Sequence, residues 1–233
     1  MIVLLLYLQL NNQQSLVMKT TLSILSLIFA LYTQLVVSQV PIDSTQIKKE
    51  YTRIEDAIKN PEKVYRLDLS NQKINFQNTD WSKFVNLEYL SLKNDHLKEI
   101  PEAIGILKNL KILDLSGNDF KTLPKSIKEL SNLEVLYLND EKNIKLSENI
   151  DLLSELPRLK ELHLENDNLN KLPANIFKLT SLETLYLNNN KFKEVPKELK
   201  GLDHLQYLDL RKNEIKPELR DLENLNFGFK IRL

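Results

Sequence analysis

The chain has 233 residues, 42% of them apolar and 27% charged, a balance that fits a folded protein and argues against a disordered or fibrous one. The 32 basic side chains face 32 acidic ones, so there is no summed positive field to condense on a phosphate backbone or an anionic membrane, and nucleic acid is not expected as a partner. Cysteine is absent, which removes disulfide caps, thiolate metal sites, a cysteine nucleophile and a lipid-modified cysteine together.

From Met18 the chain reads MKTTLSILSLIFALYTQLVVSQ. One basic residue, Lys19, precedes an apolar run from Leu22 to Val37, and Ser38 offers the short side chain that a signal peptidase accepts. This pattern predicts a signal peptide cut after Ser38, leaving Gln39 as the first mature residue. Met1 to Val17 is apolar without a charged leader and too short to span a bilayer, so Met18 is read as the start. The competing reading is an uncleaved anchor, because Thr20 to Val37 supplies 18 residues, the lower limit for a transmembrane helix. No Asn-X-Ser/Thr sequon occurs, and an exported chain without sequon or cysteine suits a bacterial envelope, periplasmic or at the surface.

Residues 39–63 read as a linker and an N-terminal capping helix. Ile54, Ala57 and Ile58 fall on one helical face, with Thr52 as N-cap and Asn60-Pro61 as a stop. The stretch 64–216 repeats. Units begin at Val64, Leu87, Leu110, Leu133, Leu159, Leu182 and Leu205, with spacings of 23, 23, 23, 26, 23 and 23, and so regular a period predicts a solenoid. Within a unit, Leu113 and Leu115 alternate with polar neighbours as in a strand, whereas Ile127 and Leu130 are three apart as on a helical turn. Pro101, Pro124, Pro173 and Pro196 lack an N–H and favour extended geometry before them, so each return should begin irregularly and hold only short helical turns. One unit cannot close a core alone; stacked units share their leucines and align their strands in parallel.

These residues resemble the leucine-rich-repeat family, in its 23-residue form with Leu-Pro-x-x-Ile-x-x-Leu returns, from Val64 to about Leu225. The resemblance implies an α/β solenoid: a right-handed superhelical arc with about seven parallel strands on the concave face and short helical turns on the convex face. It also implies that the ninth position of each unit is a buried asparagine bonding the backbone of neighbouring turns, here Asn118, Asn190 and Asn213. Gln72, Asp95, Glu141 and Asp167 depart from that pattern. An acid in this slot should need several backbone N–H donors to satisfy its charge. Calcium is the sharper reading of Asp95 and Asp167, but they stand far apart in the stack and backbone hydrogen bonds explain each alone, so no metal is assigned.

The fourth unit, residues 133–158, is three residues longer than its neighbours, so its return is expected to bulge from the stack either as a binding loop or as a tolerated insertion. Residues 217–233 read as a C-terminal cap, with Leu219, Leu222 and Leu225 on a helical turn and Phe227, Phe229, Ile231 and Leu233 alternating as an edge strand.

The family resemblance puts variable residues beside the strand leucines on the concave face. There the third and fifth positions supply a stripe of Tyr89, Ile112, Val135, Tyr137, His163, Tyr186 and Tyr207. A water-facing sheet does not need these groups to fold, and tyrosine with apolar neighbours makes good anchors for a partner. Strands favour such residues in any case. Lys93, Glu165, Arg211 and Lys212 are candidates for a polar rim. Catalysis is not expected: the three histidines, His96, His163 and His204, never share an element, and the four glycines form no phosphate loop. His163, alone in facing the stripe, reads as a contact residue.

The expected function is an exported, non-catalytic recognition module with no cofactor, a protein as partner and a glycan as the less favoured choice, acting as a monomer and meeting a membrane only if the N-terminal segment stays uncleaved. A self-associating surface component and a membrane-anchored or intracellular scaffold resembling the Ras-group repeat proteins are the alternatives.

Overall fold

In the computed structural model the described residues are 49–72, 79–216 and 228–233. The expected signal peptide, most of the expected linker, and Leu219, Leu222, Leu225 and Phe227 of the expected C-terminal cap lie outside them. The described residues all belong to one compact unit, Ile47–Leu233.

Alternation within each unit decides the sheet. Side chains of successive strand residues point to opposite faces, so Leu67, Leu90, Leu113, Leu136, Leu162, Leu185 and Leu208 all turn inward and are fully buried. Their strands are β2 (Arg66–Asp68), β3 (Tyr89–Ser91), β4 (Ile112–Asp114), β5 (Val135–Tyr137), β6 (Glu161–His163), β7 (Thr184–Tyr186) and β8 (Tyr207–Asp209). These are the seven strands the repeat predicts. Two more extend the sheet, β1 (Glu50–Tyr51) before it and β9 (Lys230–Arg232) after it, giving nine parallel strands in chain order. The register advances by one unit at each step, Leu90↔Leu113↔Leu136↔Leu162, so the leucines of neighbouring units stack on each other.

Each strand must then turn. The eighth residue of every unit does so with positive φ: Asn71, Asn94, Gly117, Asp140, Asn166, Asn189 and Lys212 lie between 56° and 70°. Glycine, asparagine and aspartate tolerate that left-handed region; Lys212 does not share their advantage. The returns are mostly 3-10 turns: Glu102–Ile106, Lys125–Glu129, Ala174–Lys178 and Lys197–Gly201 each follow a proline in extended conformation.

The long fourth unit forms a helix where its neighbours have 3-10 turns. Its extra residues wind into α2 (Leu146–Leu153), which buries Leu146, Asn149, Ile150 and Leu153. An α-helix rises about 1.5 Å per residue and a 3-10 helix about 2.0 Å, so more residues occupy nearly the same length of return. Asn149 ties this helix to the preceding unit, accepting from Leu123 N–H at 2.7 Å and donating to the Lys121 carbonyl at 3.0 Å.

The N-terminal cap also differs from expectation. The helix α1 spans only Ile54–Ala57, and its N-cap is Arg53 in extended conformation without a side-chain bond, not Thr52. Ala57 is buried, but Ile58 is 52% exposed and lies off the core face. Much of the capping falls to β1, which pairs with β2 through Glu50↔Arg66 and Tyr51↔Leu67. At the other end β9 pairs with β8, and Phe229, Ile231 and Leu233 pack against the core as the alternation predicts. Among the described residues, no helix is long and apolar enough to cross a membrane.

Candidate interaction surface on the strand face

Opposite the leucines lie two side-chain columns in register, with Ser91, His163 and Asp209 buried within them. One runs Arg66, Tyr89, Ile112, Val135, Glu161, Thr184, Tyr207; the other runs Asp68, Ser91, Asp114, Tyr137, His163, Tyr186, Asp209. The predicted stripe therefore falls into two patches. Tyr89, Ile112 and Val135 adjoin in the first column, and Glu161 with Thr184 separates them from Tyr207. Tyr137, His163 and Tyr186 adjoin in the second and form a continuous stack.

The stack has defined geometry. His163 lies between Tyr137, at 4.0 Å between ring centroids and 25° between planes, and Tyr186, at 4.2 Å and 12°. Tyr207 continues it from Tyr186 at 5.8 Å, tilted by 57°. Only 8% of His163 is exposed. Its Nε2 lies 2.7 Å from Glu161 Oε1 and its Nδ1 3.1 Å from Glu165 Oε2. The run Glu161-Leu162-His163-Leu164-Glu165 alternates, so period two alone puts the three polar side chains on one face. Glu165 thus reaches into the site instead of standing at its rim, and Glu161 joins the site although no anchor role pointed to it. A neutral imidazole carries one N–H and can donate to one glutamate; the imidazolium donates to both.

Charge shapes the ends of the face. Arg211 clamps the fully buried Asp209, Nε to Oδ1 at 2.9 Å and Nη2 to Oδ2 at 2.5 Å. Burial pushes the Asp209 carboxyl up, but the guanidinium and a backbone N–H outweigh it and hold the group below its ordinary value. At the other end the Arg66 guanidinium lies 3.9 Å over the Tyr89 ring while pairing with Glu50 at 2.9 Å. Burial raises the phenols of Tyr89 and Tyr137, and nearby carboxylates add to it, Asp68 and Asp114 for Tyr89 and Glu161, Asp114 and Glu165 for Tyr137. Lys93 and Lys212 form no ion pair with the stack's glutamates.

Beneath the strand ends a polar ladder fixes the spacing of the units. Asn118 Nδ2 donates to the carbonyls of Leu92 and Leu115 at 2.9 and 2.6 Å, and Oδ1 accepts from the N–H groups of Asp95 and Leu97 at 3.1 and 3.0 Å. Asn190 repeats this with Leu164, Leu187, Asp167 and Leu169. Asn213 donates to Leu187 and Leu210 and accepts from Phe192 N–H. The acids in the same slot are not met by several donors each. Asp95 accepts from Gln72 N–H at 2.6 Å, Glu141 from Asn118 N–H at 2.7 Å and Asp167 from Glu141 N–H at 2.7 Å. Burial, opposed by that one bond, pushes Asp95 up to about 6 and Glu141 and Asp167 up to about 8. Near neutral pH Glu141 and Asp167 therefore stay largely protonated. The second oxygens of Asp95 and Asp167 are buried and have no hydrogen-bond partner among the described residues. Among the described residues, no group of three or more metal-ligating side chains comes together.

A stack of strand–turn units with leucines inside, an asparagine-type ladder at the turns and a partly aromatic strand face defines a repeat solenoid. Two family models match the chain, a leucine-rich repeat region over residues 63–159 and a leucine rich repeat over residues 157–215. The chain belongs to the leucine-rich-repeat family. Among solved structures it is similar to internalin C2 from Listeria monocytogenes, with 26% identity, a TM-score of 0.51, and coverage of 73% of this chain and 74% of that one. It is also similar to a chain of the TLR13–ssRNA13 complex, with 28% identity and a TM-score of 0.59, covering 71% of this chain and 25% of that one. A leucine-rich-repeat protein of Leptospira interrogans matches at 26% identity and a TM-score of 0.48, over 78% of this chain and 57% of that one. The chain thus spans little more than half of the Leptospira protein and a quarter of TLR13. No curated protein matches it. The TLR13 chain stands in a complex with RNA, so the exclusion of nucleic acid that balanced charge suggested finds no support in this fold.

Proposed function

We propose that the chain is an exported, non-catalytic recognition module that binds a protein through its strand face. The observation that carries this reading is the Tyr137–His163–Tyr186 stack, continued by Tyr207, on the side of the sheet away from the leucine core. The core is closed without it, because the leucines below are already fully buried. Ordered, half-exposed tyrosines lose little entropy on contact and present both an apolar edge and a hydroxyl, the combination that dominates protein recognition. Both nitrogens of His163 face glutamates, which leaves neither directed at a substrate proton and supports a positioning role for the ring. Export rests on the segment from Met18 to Ser38, and the signal-peptide reading of it keeps the partner outside the cytoplasm.

The test compares the wild-type chain with a Tyr137→Ala, Tyr186→Ala double variant as baits for the proteins of the source culture. A partner retained by the wild type and lost by a variant of unchanged unfolding midpoint supports the reading. Equal retention by both would move the site off the strand face.

A further inference from the structure

The strand face also carries a notch that the aromatic stack does not fill. In the second column, Tyr137 is followed toward the N-terminus by the short side chains Asp114 and Ser91 and then by Asp68. One face of the Tyr137 ring is covered by His163. Among the described residues no ring or cation covers its other face, which looks over Asp114. Asp114 Oδ1 accepts the Ser116 N–H at 2.9 Å, and Asp68 Oδ1 accepts the Ser70 N–H at 2.9 Å. Neither carboxylate has an ion-pair partner among the described residues, unlike Asp209 with Arg211 and Glu50 with Arg66. Leaving aside Asp209, which Arg211 neutralises, the two columns hold three carboxylates, Asp68, Asp114 and Glu161, against one permanent cation, Arg66.

We propose that this notch receives an arginine side chain of the bound protein, its guanidinium flat against the open face of Tyr137 and hydrogen-bonded to Asp114. The inference rests on the strand-face reading and names the chemistry of its partner. The chain displays the same arrangement internally at the end of the sheet, where the Arg66 guanidinium lies 3.9 Å over Tyr89 and pairs with Glu50. A planar guanidinium stacks on a phenol ring and presents a fork of donors to a carboxylate at once; a lysine ammonium pairs with the carboxylate as a point charge without a fork and stacks less well. The excess of carboxylates also disfavours a phosphate backbone here. The favoured occupant is therefore a basic protein segment, with RNA left as an outcome of the test.

The experiment measures binding of a fluorescein-labelled oligo-arginine peptide to the full chain by anisotropy, beside oligo-lysine, oligo-glutamate and a single-stranded RNA of similar length. Saturable binding of oligo-arginine is expected, about fivefold tighter than oligo-lysine, with labelled oligo-glutamate and labelled RNA, each titrated separately, showing no saturable binding. Asp114→Asn keeps the acceptor for Ser116 N–H and should weaken oligo-arginine about fivefold without moving the unfolding midpoint. Glu129→Gln, on the return side, should change nothing. No saturable oligo-arginine binding, equal binding by Asp114→Asn, or tighter binding of RNA would overturn the proposal. If Asp114→Asn binds normally while the Tyr137→Ala, Tyr186→Ala variant still loses its partner, the arginine notch fails and the strand-face reading stands. If that double variant retains its partner too, both fail.

Discussion

Asp167→Asn tests the physics of the ladder. Asp167 is 4% exposed, accepts one backbone N–H and leaves its second oxygen without a partner. Burial raises its carboxyl from 3.8 to about 8. The folded state therefore holds a proton that the unfolded state has already released above about pH 4. The stabilisation is complete below that pH and is lost as the pH rises through about 8, a loss on the order of 5 kcal/mol. An amide at this position cannot ionise. By the geometry of Asn190, whose Nδ2 bonds Leu164 and Leu187, it would donate to the equivalent carbonyls of Leu138 and Leu164. Urea unfolding followed through Trp81, the one tryptophan in the chain and buried, gives the comparison at pH 5, 7 and 9. The wild type should weaken toward pH 9; the variant should lose only the share of that slope that Asp167 supplies, keeping the shares of Glu141 and Asp95, and exceed the wild type at pH 9 by several kcal/mol, of the order of the loss above. Parallel pH profiles, or a wild type that gains stability toward pH 9, would refute the reasoning.

Other outcomes follow from the same structure. Asn118→Ala removes two donations and two acceptances inside the stack and should cost at least about 3 kcal/mol in urea unfolding, since each stranded backbone group costs roughly 1 to 3 kcal/mol. Leu113→Ala opens a cavity among fully buried leucines and should cost roughly 2 to 5 kcal/mol; an unchanged midpoint would contradict the register. Asn149→Ala should expose α2 to faster amide exchange than the neighbouring 3-10 returns, because it cuts the bonds to Leu123 and Lys121.

Much of this fold is visible in the bare chain because its causes are local and repeated. Leucine at the first, fourth and sixth positions sets strand, register and core in one pattern, and the alternation of Phe229, Ile231 and Leu233 places the closing strand. The left-handed turn is legible in Asn71, Asn94, Asp140, Asn166 and Asn189, but Lys212 adopts it without any such signal, held by its neighbours. The strand β1 is two residues long and exists only through its pairing with β2, so no period announces it. Three added residues in the fourth unit say nothing by themselves about α-helix or loop; burial of Asn149 and Ile150 decides. On the strand face, the columns follow from the repeat, whereas the stacking of His163 between two tyrosines depends on the register of three separate units. The protonation of Glu141 and Asp167 depends on burial by the whole stack, which no single residue reveals.

The central claim is that a protein partner meets the strand face. Its most direct test places a photo-reactive benzoylphenylalanine at Thr184, half-buried on that face between Glu161 and Tyr207, or at Phe177, exposed on the return side. Irradiation with the proteins of the source culture should yield a covalent adduct from position 184 and none from 177. Adducts from 177 alone would contradict the account.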